Sequence, residues 1–289
     1  MEKLIDPGTT ADILKKFDFH FQKRYGQNFL IDENVLYKII DAARITKDDF
    51  VLEVGPGIGT MTQALSEAAG RVMAVEIDKN LIPVLEYTLK DRSNVTIVNE
   101  DIMKLNIRAV AEEYNGGRPI KVAANLPYYI TTPVIMYLFE AHVPLESITV
   151  MVQKEVADRM KASPGGKDYG ALSVAVQHYS VPEAVGLVPP NCFIPRPKVT
   201  SQVINLRMDL TEDEKRVRKV KDEEKMFDLV KAAFGQRRKT LVNAVLNSGS
   251  FDVTRLQLEG FLKNMGLDAS VRGEKLSPQQ FIELSEYLP

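Results

Sequence analysis

One cysteine, Cys192, is all that the 289 residues contain. That excludes an intramolecular disulfide and any cysteine-cluster metal site, and it suits a reducing compartment. The three histidines show no ligand spacing, so no metal centre is expected. Excess charge of either sign is also missing. The formal net charge is −2, so no bulk positive field marks a polyanionic partner and any nucleic-acid binding must be local. No uninterrupted apolar run approaches the roughly 18 residues of a membrane span. The N-terminal "MEKLIDPGTTADILKKF" mixes charges with single apolar residues and lacks the apolar core of a signal peptide. The expectation is a soluble, cytoplasmic protein with no membrane partner.

What is present is enough apolar material, 45% of the residues, for a large core with a smaller domain attached. "FVLEV", "RVMAVEI", "NVTIV", "IKVAA" and "SITVMV" are short, β-branched and bounded by turn or charged residues, as buried parallel strands are. "TMTQALSEAAG" and "KNLIPVLEYTL" between them read as helices, and repeated strand-helix units predict a doubly wound α/β sheet. "PEAVGLVP" and "TSQVINLRM" supply two later strands, while "GALSVAVQHY" fits helix and strand equally. Residues 211–225, "TEDEKRVRKVKDEEK", carry six acidic and six basic side chains and form a linker or a fully solvated helix. Beyond them "MFDLVKAAFGQRRKTLVNAVL", "VTRLQLEGFLKNMGL" and "SPQQFIELSEYL" have helical apolar spacing, the last with Ser277 as N-cap and Pro278 as first helical residue. They predict a small helical domain. Three basic clusters, "QKR" at 22–24, "PRPK" at 195–198 and "QRRK" at 236–239, are either phosphate sites or solvated faces.

"VLEVGPGIGTMTQAL" places Gly55, Gly57 and Gly59 between the first strand and the first helix. A sharp turn that a ligand approaches closely needs glycine there, and an acidic residue precedes the turn. The GxGxG spacing departs from the GxGxxG that sets a helix N-terminus against a pyrophosphate, so a ligand without phosphates is preferred. Glu76 ends the second strand, where a carboxylate accepts from ribose hydroxyls or is simply an exposed strand end. Asp101, placed at the end of the third strand, is an acceptor for the exocyclic amine of a bound adenine. Together they describe an adenosine site that S-adenosylmethionine fits better than NAD.

"NLPYY", residues 125–129, leaves the fourth strand beside that site. Leu126 precedes a proline and is held extended, which directs its carbonyl. That carbonyl and the Asn125 side-chain oxygen can grip an NH2 group. Two acceptors holding the hydrogens of an adenine amine out of the ring plane localise its lone pair and stabilise positive charge as nitrogen attacks a methyl donor. Tyr128 then stacks on an extruded base. The plainer alternative is a proline turn with two core tyrosines. Tyr129 gains no role and is expected in the core.

These residues resemble a known family, the small-subunit (16S) ribosomal RNA adenine dimethyltransferases of the KsgA type. The resemblance runs from about residue 20 to the end, through "QKRYGQNFL", "EVGPGIGTMT", "VEID", "NED", "NLPYY", "MVQKEVADRM", "YGALSVAVQ", "PPNCFIPRPKVTSQV" and "AFGQRRKTL". It implies a Rossmann-like class I methyltransferase sheet, mostly parallel, with a small C-terminal all-helical domain. The methyltransferase domain would span 1–206, its first 49 residues an extension and cofactor-covering segment; a charged linker would follow at 207–225 and an RNA- or ribosome-binding helical domain at 226–289. Asn28, Leu30, Gly55, Gly57, Glu76, Asp101 and Asn125 would contact S-adenosylmethionine, with no metal required. Asn125, Leu126 and Tyr128 would hold the adenine from one side. Phe193 would stack on the other, although it also fits a core aromatic under a proline loop. Arg237, Arg238, Lys239, Arg196 and Lys198 would meet RNA. The implied product is dimethyladenosine at two adjacent adenines in a hairpin near the 3′ end of 16S RNA, made by a monomer on an immature small subunit. Three competing readings are a 23S RNA adenine methyltransferase of the macrolide-resistance type, a non-catalytic small-subunit assembly factor, and a dehydrogenase.

Overall fold

The computed structural model describes residues 4–22 and 25–289; Lys23 and Arg24 of the first basic cluster lie outside them. The predicted strands form. β1 (Phe29–Leu30) is followed by β2 (Phe50–Val54), β3 (Arg71–Glu76), β4 (Val95–Asn99), β5 (Ile120–Asn125), β6 (Leu145–Gln153), β7 (Val181–Val188), β8 (Phe193–Ile194) and β9 (Ser201–Arg207). Seven of them make one sheet in the order β4-β3-β2-β5-β6-β9-β7. β2 through β6 are parallel neighbours and β9 runs antiparallel to β6. Every residue of β2 is buried, which suits its apolar residues and leaves Glu53 as a buried carboxyl among them. The chain winds from β2 outward to β4 and then returns to the other side of β2 as β5. The carboxyl ends of β2 and β5 therefore flank a topological switch point, where open α/β sheets bind ligands.

Two compact units result. One runs to Ala157 and resumes over Glu183–Asp209; the other comprises Asp158–Pro182 and Leu210–Pro289. The single boundary expected near residue 206 is thus corrected: residues 158–182 fold with the helical unit. Tyr169 and Val174 are buried in that unit's apolar core, and the Tyr169 hydroxyl donates to the Leu276 carbonyl at 2.8 Å. "GALSVAVQHY" is the helix Ala171–Tyr179, buried on nearly all sides, which is why its spacing suited both readings. The charged stretch is no plain linker either. Thr211 caps Glu214 N–H in a capping box, and the helix Glu212–Arg218 buries none of its residues. Asp222 then caps Glu223–Gly235, whose Met226, Leu229, Val230 and Ala233 form the buried stripe. That helix stops before the basic cluster, and Thr240 caps a separate helix, Leu241–Ser248. Ser277 and Pro278 open Pro278–Tyr287 as the sequence predicts. No helix of the described residues is long and apolar enough to cross a membrane.

Candidate active site

A cavity opens at the carboxyl ends of β2, β3 and β5 and gathers all the expected cofactor and base contacts: Asn28, Leu30, Gly55, Gly57, Glu76, Asp101, Asn125, Leu126, Tyr128 and Phe193. Its floor is the glycine turn. Gly57 has φ 62°, and a Cβ there would lie 2.9 Å from two ring atoms of Phe29, so only glycine lets this strap cross the turn. Gly59, at φ 92°, starts the helix Thr60–Ala68.

Glu76 is 5% exposed at the end of β3. Its carboxylate accepts from Gly57 N–H at 3.2 Å and from Asp78 N–H at 2.8 Å. Burial, with the Asp78 charge adding to it, outweighs those hydrogen bonds and raises its pKa to about 7. Asp101 lies two residues past the end of β4 rather than on it, capping the turn Ile102–Lys104 through Met103 N–H.

The fourth-strand exit carries two oxygen acceptors. Asn125 Nδ2 donates to the Asn28 carbonyl at 2.9 Å, which leaves Oδ1 as the side-chain acceptor. Asn28 is itself held by a bond from its Nδ2 to the Gly26 carbonyl. Leu126 is buried, its N–H bonded to the Met151 carbonyl, and no hydrogen bond among the described residues ends on its own carbonyl. Ile130 N–H donates to the Pro127 carbonyl, closing a turn with Tyr128 and Tyr129 at its tip. The Tyr128 hydroxyl is tied to Ser201 Oγ at 2.9 Å. Tyr129 is not in the core: it is 60% exposed at the cavity mouth, because two successive side chains at a turn tip diverge. Phe193 fits its core reading and also borders the cavity. It is 1% exposed within the core cluster under β1, where it pairs with Leu30, yet it also walls the cavity.

Glu53 carries the strongest functional signal that the sequence left unweighted. It lines the cavity with 0% exposure, and neither carboxylate oxygen has a well-formed hydrogen bond among the described residues. Burial, helped by the Glu76 charge and only partly offset by the Thr62 hydroxyl, lifts its pKa to about 8. Its identity as the acid two residues before Gly55 was legible; its isolation was not.

The basic residues differ among themselves. Arg196 and Lys198 are exposed. In the helical unit Arg237 is engaged internally, donating to the Lys167 and Tyr169 carbonyls and pairing with Glu274 at 3.3 Å. Arg238 and Lys239 are exposed and make no side-chain hydrogen bond or ion pair among the described residues.

A model of the family described as "Ribosomal RNA adenine dimethylase" matches residues 18–289. The chain belongs to this family. Among similar members of the ribosomal RNA adenine dimethylase family is "Ribosomal RNA small subunit methyltransferase A" of Lachnoclostridium phytofermentans, 57% identical over 289 residues, covering 100% of this chain and 98% of the relative. The protein of the same name from Clostridioides difficile is 47% identical, covering 100% and 98%. Of solved structures, a dimethyladenosine transferase from Plasmodium falciparum aligns with TM-score 0.72 at 25% identity, covering 89% of this chain and 95% of that one. The 23S rRNA methyltransferase ErmE aligns with TM-score 0.65 at 26% identity, covering 90% and 99%.

Proposed function

We propose that this protein is an S-adenosylmethionine-dependent ribosomal RNA adenine dimethyltransferase. It acts in the cytoplasm, as a monomer, on two adjacent adenines of a hairpin near the 3′ end of 16S RNA in an immature small subunit. The observation that carries the reading is the pair of acceptors at the exit of β5: Asn125 Oδ1, aimed by the bond to Asn28, and the unengaged Leu126 carbonyl.

The site suits the donor. The unpartnered Glu53 oxygens call for a cationic or N–H-bearing ligand, and the space that a Cβ on Gly55 would enter is open. Glu76 and Asp101 would accept from the ribose hydroxyls and the adenine amine, with Asn28 and Leu30 closing the strap side. S-adenosylmethionine supplies, when bound, a methyl group on a sulfonium sulfur. The protein makes the acceptor nitrogen reactive. Asn125 Oδ1 and the Leu126 carbonyl draw the amine hydrogens from the ring plane and stabilise the positive charge that develops on nitrogen. No strong general base is needed. After one transfer the cationic nitrogen loses one proton to solvent, and the single hydrogen left on the amine can still bond to either acceptor. Tyr128 supports the base, its ring held by the Ser201 hydrogen bond. Phe193 walls the other side.

Labelled S-adenosylmethionine and small subunits lacking the modification test the reading, with mass spectrometry of the RNA product. Dimethyladenosine at adjacent small-subunit adenines is expected. The likeness to ErmE supports one alternative, methylation of 23S RNA, and dimethyladenosine found only there would replace the proposal. No transfer to either RNA would leave an assembly factor.

A further inference from the structure

We infer that Gln27 is a positioning residue for the cofactor: its side-chain amide ties the strap at the cavity to the exit of β3, beside the carboxylate that would hold the ribose. The inference deepens the proposed function and rests on it for the identity of the ligand. Residues 25–30 of the strap all line the cavity. Asn28 reaches one strand exit, where its carbonyl accepts from the Asn125 amide at the end of β5. Gln27 reaches another. Its Nε2 donates to Asp78 Oδ2 at 2.9 Å, across 51 positions of sequence, and its Oε1 accepts from Gln22 N–H at 3.1 Å.

The chemistry of the two partners fixes which way this amide points. A carboxylate accepts and a backbone N–H donates, so both ends of Gln27 are used and a flipped amide would lose both bonds. Asp78 is 1% exposed. Its Oδ1 takes two bonds from Asn80, at 3.1 Å from the backbone N–H and 3.0 Å from Nδ2, both within its own turn. Oδ2 has Gln27 alone among the described residues. A buried carboxylate oxygen left without a donor is costly, so the strap is held where Gln27 satisfies Asp78.

Asp78 also donates its backbone N–H to Glu76 Oε1 at 2.8 Å. One residue therefore carries the strap on its side chain and Glu76 on its backbone. The seat of the strap and the direction of the ribose acceptor are set by the same turn before a ligand arrives, and such preorganisation lowers the ordering cost of binding. Gln27 acts through Asp78 and the strap, away from the reacting amine, so its effect falls on cofactor affinity.

The test measures S-adenosylmethionine binding to the full chain by calorimetry, with backbone hydrogen exchange over residues 25–30 of the cofactor-free protein as a second readout. Gln27→Ala should weaken binding about tenfold, the scale of one hydrogen bond to a charged group, and should speed exchange in the strap. Gln27→Glu should bind no better than Gln27→Ala, because a carboxylate then faces a carboxylate. Adding Asp78→Asn to Gln27→Glu reverses the bond: the new amide nitrogen can donate to the introduced carboxylate while the amide oxygen keeps both bonds from Asn80. This double variant should recover most of the affinity and slow the exchange again. Wild-type affinity in Gln27→Ala, or a double variant that binds no tighter than Gln27→Glu alone, would overturn the tie. A wild type that binds no S-adenosylmethionine would instead overturn the proposed function, and the inference with it.

Discussion

Two buried ionisable side chains sit on neighbouring strands of one sheet and are treated in opposite ways. Lys121 on β5 lies opposite Val51, and its ammonium is held by the Arg44 carbonyl at 2.7 Å, Asp49 at 2.9 Å and Glu146 at 3.2 Å. Glu53, two residues along β2, pairs with Ala123 and has neither oxygen satisfied among the described residues. The first arrangement compensates desolvation with partners and serves the fold. The second leaves the cost standing where a ligand can offset it. A buried ionisable group without a partner, facing a cavity, is therefore better evidence of function than a buried charge with three.

The sharpest way to break the comparison is to remove its satisfied member. Lys121→Ala should cost about 3–5 kcal/mol of stability by stranding Asp49, read by denaturant unfolding. A loss under about 1 kcal/mol would mean that solvent reaches the pair and that it is no true buried charge. Asn125→Ala probes the ligand end: removing one preorganised acceptor should cost about 3 kcal/mol in turnover while RNA binding persists. Near-normal turnover would move the amine grip elsewhere.

pH should separate the two ends. Asp49 is partly desolvated, yet its bond from Lys121 and those from Thr46 hold its pKa below the ordinary carboxylate value. Its contribution is therefore present at neutral pH and lost as acid protonates it. Glu53 has the opposite sign. Its pKa rises from 4.5 to about 8, so stability falls as pH climbs through that interval. Glu53→Gln should gain about 1–2 kcal/mol at the alkaline end and nothing at the acid end, the gain limited because a buried amide also lacks partners there. The same variant should bind S-adenosylmethionine more weakly, measured by calorimetry. Equal stability across the range would mean that Glu53 is already compensated. Glu76 can accept from both ribose hydroxyls through both oxygens only when ionised, so cofactor affinity should increase with pH up to about 7 and then level. The smallest effect is expected from Arg238→Ala with Lys239→Ala, which should flatten the salt dependence of RNA binding by about 0.7–0.9 in slope for each phosphate that is no longer neutralised. Arg237→Ala should instead loosen the segment around Tyr169, because that side chain holds its carbonyls.

Much of this was legible in advance wherever the cause is local. The five parallel strands announce themselves by short β-branched runs, the turn by glycines at positive φ, and the last helix by Ser277 and Pro278. The acceptors of Asn125 and Leu126 were legible as residue types at a strand exit. Tyr129 was not, because an aromatic after a proline turn has the same composition whether it faces the core or the mouth. Arg237 likewise reads as one more basic residue beside Arg238, although it binds carbonyls 68 and 70 residues away in sequence.

By itself the sequence determined the strand and helix periods, the glycine turn and the residue types at the fourth-strand exit, since each depends on neighbours a few positions apart. Only the tertiary structure decided which way the Asn125 amide points, through a carbonyl 97 residues distant. It also decided that residues 158–182 join the helical unit, and which buried charge has partners. Orientation and satisfaction are properties of contacts between distant segments, and those contacts exist only once the sheet has closed.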